Sequence, residues 1–124
     1  MAVINYTVEE YGSHALLITW ANMEKGDTGK PLGKEFSEYA DRSIHCFGAF
    51  DSATLTFQGS NDVVNAEASA VWATLNEPGD TALTFTADKI EQVREITRLQ
   101  RPSVSGSGGS ADISCALLIR RVRP

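Results

Sequence analysis

Asp112-Ile113-Ser114-Cys115-Ala116-Leu117-Leu118-Ile119-Arg120 alternates with a period of two. Ile113, Cys115, Leu117 and Ile119 fall on one face, and Asp112, Ser114, Ala116, Leu118 and Arg120 on the other. A helix repeats every 3.6 residues and would scatter these side chains, whereas a strand segregates them. The outward Ala116 and Leu118 make the second face half-apolar, as expected of a strand covered on both sides.

The same pattern recurs toward the N-terminus. Ala53, Leu55 and Phe57 alternate with Thr54, Thr56 and Gln58; Leu83 and Phe85 alternate with Thr84 and Thr86; Ile4, Tyr6 and Val8 are spaced by two. Further strands are expected over residues 15–20, 43–50, 71–75 and 93–101. Between them lie runs of turn formers: Glu24-Lys25-Gly26-Asp27-Thr28-Gly29, Gly59-Ser60-Asn61-Asp62 and Glu77-Pro78-Gly79-Asp80. About eight short strands broken at this rhythm predict an all-β fold, an antiparallel β-sandwich of jelly-roll type, built as one domain over residues 1–124.

Little helix is expected. Asn65–Ala70 has the composition for one turn, and a turn or short helix is placed near Asp88–Gln92, ahead of the strand at 93–101. The run Ser105-Gly106-Ser107-Gly108-Gly109-Ser110 reads as a long hairpin loop joining the last two strands. Residues 1–8 read as an N-terminal arm or an edge strand.

The formal charge is −5 and is unevenly spread. Residues 1–88 carry 4 basic and 13 acidic side chains, whereas residues 89–124 carry 7 basic and 3 acidic. The basic set is Lys89, Arg94, Arg98, Arg101, Arg120, Arg121 and Arg123. Two readings follow: a solvated face paired with acidic loops, or a docking surface for an acidic partner. The overall acidity argues against direct nucleic-acid binding. No run approaches a membrane span, and the start lacks the basic cluster and apolar run of a secretory signal, so neither membrane nor secretion is expected.

The sequence offers little chemistry. Cys46 and Cys115 lie in apolar segments and read as buried free thiols, with a disulfide as the alternative. Their spacing with His14 and His45 fits no common zinc pattern. His45 and Cys46 are strand neighbours and point to opposite faces, so they cannot act as a catalytic pair. His14 reads as a surface residue. Asp27, Asp62 and Asp80 stand in loops where calcium could bind, but without the regular spacing of a calcium loop. The Gly/Ser run has no following helix or lysine and is not a phosphate loop. Neither catalysis nor a metal or other cofactor is expected.

From residue 47 onward the order of features is distinctive. It runs Phe57-Gln58-Gly59-Ser60-Asn61-Asp62, Trp72-Ala73-Thr74-Leu75, Ala82-Leu83-Thr84-Phe85-Thr86 and Arg101-Pro102-Ser103-Val104-Ser105-Gly106. The Gly/Ser loop follows, and then a strand ending in Leu118-Ile119-Arg120-Arg121. Over residues 47–121 this resembles the jelly-roll head decoration or cement proteins of tailed bacteriophages. The Gly-Ser-Asn-Asp…Trp order is also similar to discoidin-type sandwiches, but those use apolar or aromatic loop tips. The loops here are read as Asp, Gly, Ser and Thr, with Trp72 in the core.

The decoration-protein resemblance implies a virion structural protein on the capsid exterior, made in the host cytoplasm. It implies as partners the major capsid protein, whose subunits it would bridge, and further copies of itself in a homotrimer or homodimer. Arg98, Arg101, Arg120, Arg121 and Arg123 form one expected contact surface, and Val3, Ile4 and Tyr6 of the N-terminal segment a second. The alternative is a carbohydrate- or receptor-binding sandwich of a phage tail or baseplate.

Overall fold

The computed structural model describes residues 2–106 and 109–121. Eleven strands build two sheets: β1 Val3–Ile4, β2 Tyr6–Glu10, β3 Ala15–Met23, β4 Thr28–Gly29, β5 Asp41–Ala49, β6 Ala53–Ser60, β7 Ala73–Thr74, β8 Thr84–Phe85, β9 Lys89–Gln92, β10 Leu99–Gly106 and β11 Asp112–Arg120. One sheet runs β1-β4-β10-β6-β7, with β8 also on β6; the other runs β2-β3-β11-β5-β9. All pairings are antiparallel except β1 with β4.

The connectivity is that of a jelly roll. From β3 onward the chain crosses between the sheets at every step except along β6, β7 and β8, which share one sheet, so that β11 lies between β3 and β5 and β10 between β4 and β6. The expected count of about eight is corrected to eleven: the N-terminal run at Ile4–Val8 is divided into β1 and β2, and β4 and β9 form where no strand was expected. β7 and β8 share one flank of β6, at Gly59↔Ala73 and Leu55↔Phe85, and so fill a single lane. β1 and β2 each flank a different sheet. The first strands therefore straddle both layers, with residues 3–10 folded as edges of the sandwich.

The alternation read from the sequence places the core. Ile113, Cys115, Leu117 and Ile119 of β11 meet Leu55, Phe57, Ile18, Trp20 and Ile44 between the sheets, all fully buried. Tyr6, Trp20, Phe36 and Phe57 form an edge-to-face aromatic chain, with centroids 5.8–6.3 Å apart. Cys46 and Cys115 are buried free thiols on directly paired positions of β5 and β11.

Four expectations are corrected. Of the strand expected at 93–101, residues 93–98 are irregular and only 99–101 are extended, as the start of β10; the residues expected to turn instead form β9, whose edge pairs with β5 at His45↔Ile90. The Gly/Ser run is not a hairpin loop, since β10 and β11 belong to different sheets. Trp72 is only half-buried and lies outside the core, beneath the guanidinium of Arg101. Finally, the half-apolar outer side of β11 is not covered by any described part of the chain: Ala116 and Leu118 are partly exposed. The expected turn at 65–70 is present as a 3-10 turn over Glu67–Ser69.

Arg42 was not anticipated. It occupies a core-facing position of β5, between the sheets, and is 3% exposed. Its guanidinium donates to the carbonyls of Tyr39 and Phe36 and to Oε1 of Gln100, at 2.7, 2.9 and 2.7 Å. Gln100 is itself buried and donates to the Glu95 carbonyl. Burial without a carboxylate partner lowers the Arg42 pKa to about 10.

Candidate functional site

A groove runs beside the edge strand β1. Its wider part encloses about 640 Å³ among Val3, Lys30, Pro31, Ala68 and Arg101. A narrower part of about 330 Å³ continues past Tyr6, Lys34, Glu35 and Arg98, and the two share Lys30, Pro31 and Glu67. Together they fall within the size of small-ligand or peptide clefts.

The first wall is built by the turn at 24–30. Asp27, 6% exposed, accepts the backbone N–H groups of Ala2 and Glu24 at 2.9 and 2.8 Å. Thr28 N–H then donates to the Ala2 carbonyl and Lys30 N–H to the Ile4 carbonyl. These bonds lay β1 in parallel register on β4. The Ala2 and Ile4 carbonyls point into the sheet, so strand alternation turns the Val3 carbonyl toward the open edge. Gly29 lets β4 cross tightly over the core. A Cβ there would lie 2.6 Å from both Pro102 Cδ and Trp20 Nε1. The Trp20 indole donates to the Lys30 carbonyl at 3.0 Å, which fixes the position where Lys30 leaves the sheet.

The opposite wall is the segment 61–72. The Asp62 carboxylate accepts N–H groups from Val64, Asn65 and Val71, and the side-chain amide of Asn65. Four donors hold its carboxyl well below the usual range. Arg98 clamps the same loop through its backbone N–H to Asn61 Oδ1 and its guanidinium to the Asp62 carbonyl, both at 2.7 Å. Arg101 lies 4.1 Å above the Trp72 ring and donates to Gln58 Oε1 at 3.0 Å. Tyr6 lies beneath Lys30, whose ammonium is 5.9 Å from its ring. Desolvation, with Glu35 and Glu67 nearby, pushes its phenol up.

Val3, Tyr6, Arg98 and Arg101, expected on two separate surfaces, are thus brought to one groove. Ile4 packs inward against the core and contributes its carbonyl. Arg120 and Arg121 stand elsewhere, at the end of β11. Arg120 pairs with Asp41, whereas Arg121 lies over Tyr39, 5.3 Å from its ring. Arg123 lies outside the described residues. Lys89 and Arg94 pair with Glu91 and Asp80, so the basic set is dispersed rather than gathered on one face.

Lys30 and Glu67 were missed in the sequence, since neither lies in the basic C-terminal third nor in the N-terminal segment. A third omission is the apolar display on the 61–72 loop, where Val63, Val64 and Val71 are 72–90% exposed. The reading of the loops as uniformly polar is corrected here. The loop is held by Asp62 hydrogen bonds rather than by burying its valines.

Asp27, Asp62 and Asp80 do not converge, and no group of three or more potential metal-ligating side chains occurs among the described residues. Each has another partner: backbone amides for Asp27 and Asp62, and Arg94 for Asp80. No described helix is long and apolar enough to cross a membrane. The sequence matches no protein-family model and no curated protein.

Proposed function

We propose that the chain is a virion structural protein that acts by contact rather than catalysis. In this reading it decorates the exterior of a tailed-bacteriophage capsid and bridges major capsid protein subunits. The observation that supports it is the groove beside β1, where an open strand edge, apolar walls and the cations Lys30, Arg98 and Arg101 lie together. An extended segment of a capsid subunit laid along β1 would gain main-chain hydrogen bonds from the edge and side-chain contacts from the walls. Repetition over a shell would turn a modest single contact into stable attachment.

Carbohydrate recognition draws less support. Tyr6, the aromatic residue that lines the groove, lies beneath the Lys30 ammonium, and Arg101 covers the ring of Trp72. Trp20 is fully buried.

The test is co-sedimentation with expanded capsids, with mass spectrometry of purified virions. The chain should be present in virions in many copies and should bind expanded shells. Lys30→Glu and Val3→Asp should each weaken that binding roughly tenfold, as charge or polarity placed in a contact surface does. Virions lacking the chain, or unchanged binding by both variants, would refute the reading.

A further inference from the structure

The two sheets present opposite chemistry to solvent. On the β4-β10-β6 sheet the outward row Thr84, Thr56, Ser103 and Thr28 is hydroxylic and ends on Val3 of β1, flanked by Ser105, Thr54, Gln58 and Arg101. On the β3-β11-β5 sheet the outward positions include Leu17, Leu118, Ala116, Phe47 and Ile90. Ile90 is 62% exposed. No lysine stands among the outward positions of that sheet, although lysine is a common guard against sheet association.

We infer that this face is the interface of a two-fold homodimer, packed sheet to sheet. The occupant follows from the pattern of side chains. Thr7, Thr19, Ala116, His45 and Ile90 form one continuous cross-strand row. A two-fold axis lying along this row, in the plane of the interface, places each lane against its own copy with its ends exchanged. Large then meets small in the three central lanes: Leu17 against Ala21, Leu118 against Ser114, Phe47 against Ser43. At the ends of β11, Arg120 of one copy faces Asp112 of the other.

The other two-fold arrangement, with the axis along β11, also pairs Leu17 with Ser43. However, it stacks Arg120 on Arg120 and Asp112 on Asp112, so charge selects the axis across the strands. The five strands carry nine, nine, nine, five and four residues, which at about 3.3 by 4.8 Å per residue project to roughly 570 Å², about seven-tenths of the ~800 Å² per partner of a standard interface before side-chain relief is counted. This dimer is independent of the groove reading, since it uses the opposite sheet.

Sedimentation velocity across a concentration series should show a species of twice the monomer mass. Ala116→Arg, which sets two cations against each other on the axis, should weaken association at least a hundredfold. Thr56→Arg, on the hydroxylic sheet, should leave it unchanged. A residue on the axis meets itself, and packed sheets lie roughly 10 Å apart, so Ala116→Cys should be joined into covalent dimers by a short bis-maleimide. Thr56→Cys should not. A monomer at all concentrations, a dimer insensitive to Ala116→Arg with unchanged circular dichroism, or equal cross-linking at both cysteines would each overturn the inference.

Discussion

Cys46 and Cys115 face each other across β5 and β11 as directly paired residues, both with no exposed surface. Desolvation, reinforced by the neighbouring thiol, pushes the Cys115 thiol up. A thiol raised in the fold stabilises the protein below its unfolded pKa, near 8.5, and loses that contribution as pH rises through the folded value. The denaturation midpoint should therefore fall above about pH 8.5, and the decline should flatten in the Cys46→Ala, Cys115→Ala double variant. Both native thiols should resist an aromatic disulfide reagent until the chain unfolds.

Arg42 satisfies three acceptors between the sheets, and none of them is charged. Arg42→Ala leaves two carbonyls and the Gln100 amide oxygen without that donor, and should cost about 3 kcal/mol in a urea titration. Arg42→Lys should recover less than half of this, because an ammonium cannot span the same fork of acceptors.

Asp51 and Ser52 both have positive φ, at 45° and 65°, in the turn that carries the chain from β5 to β6. Left-handed backbone favours glycine and tolerates asparagine. Ser52→Gly should raise stability by about 0.5 kcal/mol, measured as a shift in midpoint at constant slope. Asp51 is less free to change, since its carboxylate accepts the Ser110 N–H at 2.8 Å.

Gly29 has no room for a side chain between Pro102 and Trp20. Gly29→Val should destabilise by about 2 kcal/mol and disorder the start of the groove. The readout is loss of hydrogen-exchange protection at the Thr28 and Lys30 amides, which bond to Ala2 and Ile4.

Asp62 organises its loop through an ionised carboxylate. Because its folded pKa is depressed, its contribution is present above the free-Asp value near 3.9 and is lost only as pH falls well below it. The Val64 and Val71 amides should remain protected at pH 4, after correction for intrinsic exchange. Asp62→Ala should reduce their protection several-fold at neutral pH.

Strong alternation made β6 and β11 legible in the sequence, including which side chains enter the core. What it could not supply was partner choice. Alternation at β10 is the same whether the next strand is a hairpin neighbour or lies in the other sheet, so the Gly/Ser run was misread. Two-residue strands such as β4 and β7 carry no period at all; they exist because a longer strand offers them an edge. Arg42 precedes the strand expected at 43–50 and carried no signal of burial, since its acceptors come from the 36–39 turn and a glutamine 58 residues away. At the groove, Val3, Tyr6, Arg98 and Arg101 were singled out from the sequence, but as parts of two separate surfaces. Their convergence depends on β1 lying parallel on β4, for which no local signal exists.

The placement of β11 in the middle of its sheet also sets an order of events during synthesis. β3 and β5 are made early, but the lane between them stays empty until about a hundred residues have followed β3. Leu17 and Ser43, which flank Leu118 in the finished sheet, must wait for it on facing, unpaired edges. A chain stopped before β11 would carry a slot one strand wide, open to any extended peptide of suitable pattern. The sequence Asp112–Arg120, supplied as a separate peptide, should fill that slot, because it carries the pattern both flanking edges pair with.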